Sequence, residues 1–332
     1  MPVILSYSFN AVAPMFAAIL LGAFIAKRGQ AGDNEIVFLN TLCFRYLLSL
    51  HVFNSVLSVD FYSEFNPRLV LTFIIVITAL FLASWLVFSL AIKDFARRCI
   101  YIVTSYRSNN IIYALPLAAN LFGPAGVKAA AMLIPFTIIF FNFFTVITMV
   151  CHRQKIEASL SAARLSAAEK NTALHAALKK CAFEIITNPL IIGSSMGILF
   201  SVSRFPLPSF LRNGVNSIAQ SATPISLILL GTQIKLKSLS QNIRPVLAAM
   251  FLRLILVPSV LVPLSVFLGF RGPELSALAV AFAAPPAVTN LIMARNYKVA
   301  PELAAQTVYL STLASMFSIF AMIAILRALR LF

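Results

Sequence analysis

The sequence predicts an all-α membrane protein of ten transmembrane helices, arranged as two inverted five-helix repeats with broken crossing helices at spans 4 and 9. Three observations lead there. Hydrophobic residues fill 60% of the 332 positions and charged residues only 11%, against about 25% charged in a soluble domain. The apolar residues form continuous runs of about 20, as a helix needs to cross a hydrocarbon core of roughly 30 Å, not the alternating segments of a barrel strand. Five such runs precede a polar middle segment and five follow it, and motifs recur between the two sets.

In order, the runs lie at about 5–26, 36–58, 69–92, 99–121, 127–151, 183–203, 213–234, 245–269, 274–294 and 302–326, with ends good to a few residues. No Lys or Arg precedes the first run, so it is expected to be a retained span, not a signal peptide. The segment from His152 to Lys180 is Ala-rich and charged (EASLSAARLSAAEKNTALHAALKK) and is expected to be a surface helix. The expected division is a first repeat over 1–151, a cytosolic linker over 152–182 and a second repeat over 183–332.

The net charge of +16 does not call for a nucleic-acid partner, because membrane proteins gather Lys and Arg in cytoplasmic loops. With the N-terminus outside, the inner segments hold 16 of the 26 basic residues, the outer segments hold seven, and three lie within spans. Both termini are therefore placed on the extracytoplasmic side. The four cysteines lack zinc or redox spacing. The three histidines lack metal-ligand spacing, and no HExxH or GxSxG occurs. No cofactor, metal or enzymatic activity is expected.

The repeat is read from matched positions. Pro14 is followed eight residues later by Gly22, and Pro189 by Gly197 at the same spacing. PLAANL in span 4 (Pro116 to Leu121) matches PAVTNL in span 9 (Pro286 to Leu291), each with a lysine seven residues on, Lys128 and Lys298. An odd number of spans per half inverts the second half, an architecture common among secondary transporters.

Proline inside a helix removes a hydrogen bond and clashes with the preceding turn. In lipid, the freed groups must be met by protein or by a water-filled cavity. Span 4 combines Asn109 and Asn110 with Pro116, and span 9 places Pro285 and Pro286 before Thr289 and Asn290. Interrupted helices at matching places in two halves point to a transporter site, and their half-helix amino ends suit a carboxylate. The plainer alternative is a pair of kinks that only shape packing. Substrate-binding candidates are Arg107, Asn109, Asn110, Thr289, Asn290 and, near Pro224 in span 7, Gln220. The helix-break candidates are Pro116, Pro285 and Pro286.

Arg45, Arg107 and Arg253 lie within spans, roughly 14 Å from the cytosolic end at 1.5 Å per residue, and no acidic residue lies mid-span. Intramembrane charge usually faces a cavity, so Arg45 and Arg253 are expected to line a cytosolic vestibule. Their alternative is snorkelling to the interface. Asn142, Gln306 and Ser311 are expected to make interhelical hydrogen bonds.

The stretches PMFAAILLGAFIAKRG, NIIYALPLAANLFG and PPAVTNLIMARNYKVAPELAAQTVYLST resemble the auxin efflux carrier family, which includes bacterial organic-acid and malonate-type permeases. The resemblance covers nearly the whole chain. It implies crossed, proline-broken spans 4 and 9 and an elevator-like alternating-access carrier for carboxylates. The family's crossover asparagine falls on Asn109 and its second-repeat partner on Asn290. Ile111 and Ala114 stand where the family usually has glycines, and the usual proline of span 2 is missing around Leu48 and Ser49. The short central loop resembles that of bacterial members, which implies a plasma (bacterial inner) membrane.

The expected function is thus a secondary transporter, a permease moving a small organic anion. Membrane lipid is its other partner, and a homodimer is a candidate assembly. The alternatives are a sodium-coupled symporter resembling bile-acid carriers, and a channel or receptor on the same fold. Sodium sites favour carboxylates as well as carbonyls and hydroxyls, and the lack of a mid-span carboxylate weighs against the symporter.

Overall fold

The structure, a computed structural model, describes residues 2–29, 32–60, 62, 64–160, 179, 182–183, 185–204, 207–233 and 243–332. The core of the expected linker helix, 161–178, lies outside the described residues. Among the described residues there is no strand, and the backbone is helical almost throughout.

The first half contains α1 (Pro2–Lys27), α2 (Asp33–Leu42), a π-helical turn (Cys43–Leu47), α3 (Leu48–Leu57), α4 (Pro67–Ala91), α5 (Phe95–Tyr106) and α6 (Asn110–Leu160). The second contains α7 (Pro189–Ser203), α8 (Ser209–Thr232), α9 (Ile243–Phe251), a second π-helical turn (Leu252–Leu256), α10 (Val257–Phe267), α11 (Gly272–Ala283), α12 (Val288–Asn296) and α13 (Pro301–Ala328). Among the described residues, six helical stretches are long and apolar enough to cross a membrane: Ile4–Lys27, Asn34–Leu57, Pro67–Ala91, Asn110–His152, Ile243–Phe267 and Pro301–Ala328. Pro189–Ser203 and Gly272–Ala283 are shorter apolar helices.

Local chemistry sets the starts. Asn66 and Asn188 accept from Leu69 N–H and Leu190 N–H, each with proline as the next residue, which pairs an N-cap side chain with the residue best suited to the first helical position. Asp94 caps α5 by accepting from Ala96 and Arg97 N–H. Replacing it with alanine is expected to cost about 1 kcal/mol, read as a small fall in melting temperature of the purified protein. Within α6 the chain turns at Gly123, whose φ of 57° and ψ of −140° only glycine adopts without strain. Residues before and after it are two helical rods.

Packing sorts the helices into two groups. α1 lies on α8 and α3 on α7, and α3 also touches α8. α4, α5 and α6 pack in sequence, α11 lies on α6 and α10, and α13 receives α9 and α12. The groups meet where α1 touches α13 and α6, and where α3 touches α6. In the first group, backbones approach directly at glycines: a Cβ at Gly22 would sit 1.9 Å from Ile228 O, and one at Gly231 would sit 1.9 Å from Ile19 O. Such small-residue contacts are how helices associate in lipid, where burial of apolar surface gives no drive. Outward faces carry Leu71, Ile75, Leu82, Leu86 and Leu90 on α4, all exposed, as lipid contact requires.

Candidate functional site

Two buried breaks in helical geometry touch each other. The first lies at Arg107–Asn109, between α5 and α6; Arg107 is extended, with φ −89° and ψ 100°. The second lies at Ala284–Ala287, between α11 and α12, and both Ala284 and Ala287 are extended. Asn109 N–H donates to Pro285 O at 2.7 Å, and Ser108 and Pro286 form an antiparallel bridge. Each break supplies what the other lacks, since Pro285 and Pro286 have no N–H and a free amide of the first break meets a free carbonyl of the second.

Pro285 and Pro286 lie in the second break. Pro116 does not lie in the first. It is the seventh residue of α6, inside a helix, which corrects the expectation that it breaks span 4. The motif match that paired Pro116 with Pro286 therefore joins positions that are not equivalent relative to the breaks. Asn120, matched to Asn290 in that comparison, donates instead to Ala11 O at 2.9 Å and ties α6 to α1.

Aromatic packing holds the first break. Tyr106, the last residue of α5, is fully buried, with its hydroxyl 3.0 Å from Thr145 Oγ1. Its ring lies edge-on to Phe81 and Phe144, which stack on each other at 4.3 Å. Next to it, buried Arg107 donates through Nη2 to Asn142 Oδ1 at 2.9 Å and to Thr289 Oγ1 at 3.0 Å. One guanidinium thus links the first break, α6 and the start of α12.

The polar side chains at the crossing are buried, and several of their atoms have no protein partner among the described residues. These are Ser108 Oγ, Asn109 Nδ2, Asn110 Oδ1 and both amide atoms of Asn290. Asn110 Nδ2 donates to Thr137 Oγ1 at 3.3 Å. Leaving a buried polar group unmet costs about 1–3 kcal/mol, and such groups are rare enough to need a reason.

Arg253 is not in a vestibule. Its side chain is 0% exposed and makes three hydrogen bonds to backbone carbonyls: Nε to Ala284 O at 2.8 Å, Nη1 to Ser105 O at 2.8 Å and Nη2 to Ala281 O at 2.9 Å. Ser105 and Ala281 lie in the last turns of α5 and α11 and Ala284 caps α11, where helix ends leave acceptors unmet. Arg45 lies on the first π-helical turn with an exposed side chain, far in character from the buried crossing. Gln220 is exposed on α8, and no hydrogen bond among the described residues ties it to the crossing.

The electrostatics follow from the direction of the chain. At the carboxyl ends of α5 and α11, the negative poles of two half-helices face the Arg253 cation. At the amino ends of α6 and α12, two positive poles lie beside Arg107 and the amides of Asn109, Asn110 and Asn290. With the negative poles already countered, the remaining field favours an anion. Ser108 was not among the sequence candidates. It was legible in the polar run RSNN.

A family model described as membrane transport protein matches residues 7–323 of the chain. An uncharacterized transporter of Methanocaldococcus jannaschii is 26% identical over 126 residues, which is 37% of this chain and 41% of that protein. The alignment thus spans less than half of the relative's length.

Proposed function

This chain belongs to the membrane transport protein family, and from that premise we propose that it is a secondary carrier that moves a small organic anion, a carboxylate, by elevator-like alternating access. The chain is a multi-pass membrane protein. The observation that carries the anion is the contact of the two breaks, which sets two half-helix amino ends beside buried asparagine amides and Arg107.

In this reading the chain has ten spans in two inverted repeats. Its support is an exchange of partners: span 1 (α1) packs on span 7 (α8), and span 6 (α7) packs on span 2 (α3). That is the pairing a twofold relation between halves requires. Gly22 in span 1 and Gly197 in span 6, matched in the sequence, both lie at these close contacts; a Cβ at Gly197 would be 2.9 Å from Phe53 O. The elevator reading is supported by the two helix groups, one of which contains both breaks. The basic residues on the inner loops support extracytoplasmic termini in a plasma membrane.

Uptake into proteoliposomes across a panel of labelled mono- and dicarboxylates tests the proposal. Saturable uptake of at least one carboxylate, with counterflow, is expected. Permeation without saturation would favour a channel, and failure of every carboxylate would overturn the substrate class. For the carboxylate that is moved, Arg107→Gln is expected to raise the half-saturating concentration about tenfold or more, the value of one charge-assisted hydrogen bond, while Arg45→Gln changes it less than twofold. Equal effects would remove Arg107 from the site.

A further inference from the structure

Arg253 raises a question that anion binding leaves open. Carbonyls at the carboxyl ends of broken helices are the groups with which transporters coordinate a coupling sodium ion. Here the two such ends point at one place. Ser105 O comes from the last turn of α5, Ala281 O from the last turn of α11, and Ala284 O from the residue that caps it. All three accept from a single guanidinium at 2.8–2.9 Å. Among the described residues no carboxylate pairs with it in any salt bridge, and it is one of the largest fully buried side chains. A cation so enclosed is expensive unless its donors are met and a negative potential faces it. The carbonyls give each of its three nitrogens an acceptor, and the two helix ends supply the potential.

The backbone gives a local reason that this arginine reaches inward. It lies on a π-helical turn, Leu252–Leu256, inserted between α9 and α10. A π-turn adds a residue to the helical course and re-aims the side chains on it, which is why such turns cluster at functional sites. Arg45 also lies on a π-turn but points to the surface, so the turn is not sufficient. The freed carbonyls are what hold the charge inside.

We propose that Arg253 is a tethered cation occupying the place a coupling sodium ion would take between the carboxyl ends of the two half-helices, so that this carrier binds no sodium there. The idea rests on the crossing being the transport centre, and it goes beyond that reading by assigning the cation site and its occupant. Removing the side chain should then create a site for a small cation.

The test is thermal unfolding of the purified full chain in detergent, in sodium chloride and in choline chloride at equal ionic strength. It needs no substrate, so a failed uptake panel and a failed cation site are read separately. The wild-type chain is expected to melt at the same temperature in both salts. Arg253→Ala is expected to melt roughly 5 °C lower or more, and to recover in a saturable way with sodium or methylguanidinium but not with choline. Arg253→Lys, which keeps the charge, is expected to melt closer to wild type and to show no sodium response. Should the alanine variant not be recovered from membranes, Arg253→Gln carries the same comparison. Saturable sodium stabilisation of the wild-type chain would overturn the proposal. So would a neutral variant whose loss of stability no small cation repairs, because a side chain that only fills space predicts that result.

Discussion

Asn290→Ala is expected to lower uptake of the transported carboxylate at least about tenfold while leaving the melting temperature unchanged or higher. Both amide atoms of Asn290 are buried without a partner among the described residues. A polar group of this kind costs about 1–3 kcal/mol in the folded chain. Its removal should therefore stabilise the protein, as happens where a site is held against the interest of stability. The transport loss is expected because Asn290 lies in the first turn of α12, beside the crossing, where the proposed anion would take its amide as a donor; losing one hydrogen bond to a charged group is worth about 1.5–3 kcal/mol, or roughly ten- to more than a hundredfold. Asn109→Ala, which removes an unpartnered Nδ2, should behave alike in uptake. A packing asparagine would give the reverse pattern, a lower melting temperature with transport kept. Measuring both quantities on the same preparation separates the two roles.

The second large effect concerns the contact that joins the halves. Gly22→Val and Gly231→Val are each expected to lower stability by about 3 kcal/mol or more, at or above the upper range of overpacking, or to prevent recovery of a folded protein. The Cβ each would introduce lies 1.9 Å from a carbonyl oxygen of the opposite helix, Ile228 O for Gly22 and Ile19 O for Gly231. Neither obstacle is a flexible side chain, so one helix must move by more than an ångström. Gly214 on the same α8 is the control, since no atom lies within 4 Å of its Cβ position. Gly214→Ala should be neutral or stabilising by up to about 1 kcal/mol, because alanine is the better helix former. Monodispersity and melting temperature in detergent read all three. Equal behaviour at Gly22 and Gly214 would mean that α1 and α8 do not meet as described.

Much of the architecture was legible because lipid leaves few options. Spans 1, 2, 3, 8 and 10 fall on long apolar helices, because a continuous apolar run in lipid must meet its own backbone groups, and Pro14 in span 1 and Pro263 in span 8 do not end the helix. The second break was legible too, since Pro285 and Pro286 remove two donors in succession. The first was misplaced, and the reason is physical. Arg107, Ser108 and Asn109 are not strong helix breakers, and their extended backbone is fixed by pairing with Pro285 and Pro286, a contact between residues far apart in the chain. Pro116 carried the local signal for a break, yet a membrane helix tolerates it. Arg253 was misread for a similar reason. A lone arginine in a span implies a cavity or an escape to the interface, and no local pattern reveals that two distant helix ends release three carbonyls beside it. Gln220 drew attention as a polar residue near a proline; it is exposed on α8, and no hydrogen bond among the described residues ties it to the crossing. The sodium alternative gains nothing from the geometry at that place, because a guanidinium already satisfies the carbonyls.

The central claim is that the two breaks hold an anion between the amino ends of α6 and α12. A density map of the full chain in lipid nanodiscs, collected with the carboxylate that the uptake panel identifies, tests it most directly. The account predicts ligand density within hydrogen-bonding reach of Asn109 or Asn110 and of Asn290, with α5 and α11 ending at the crossing. Density lodged elsewhere, such as against Gln220 on α8, or unbroken helices running through 107–109 and 284–287, would contradict it.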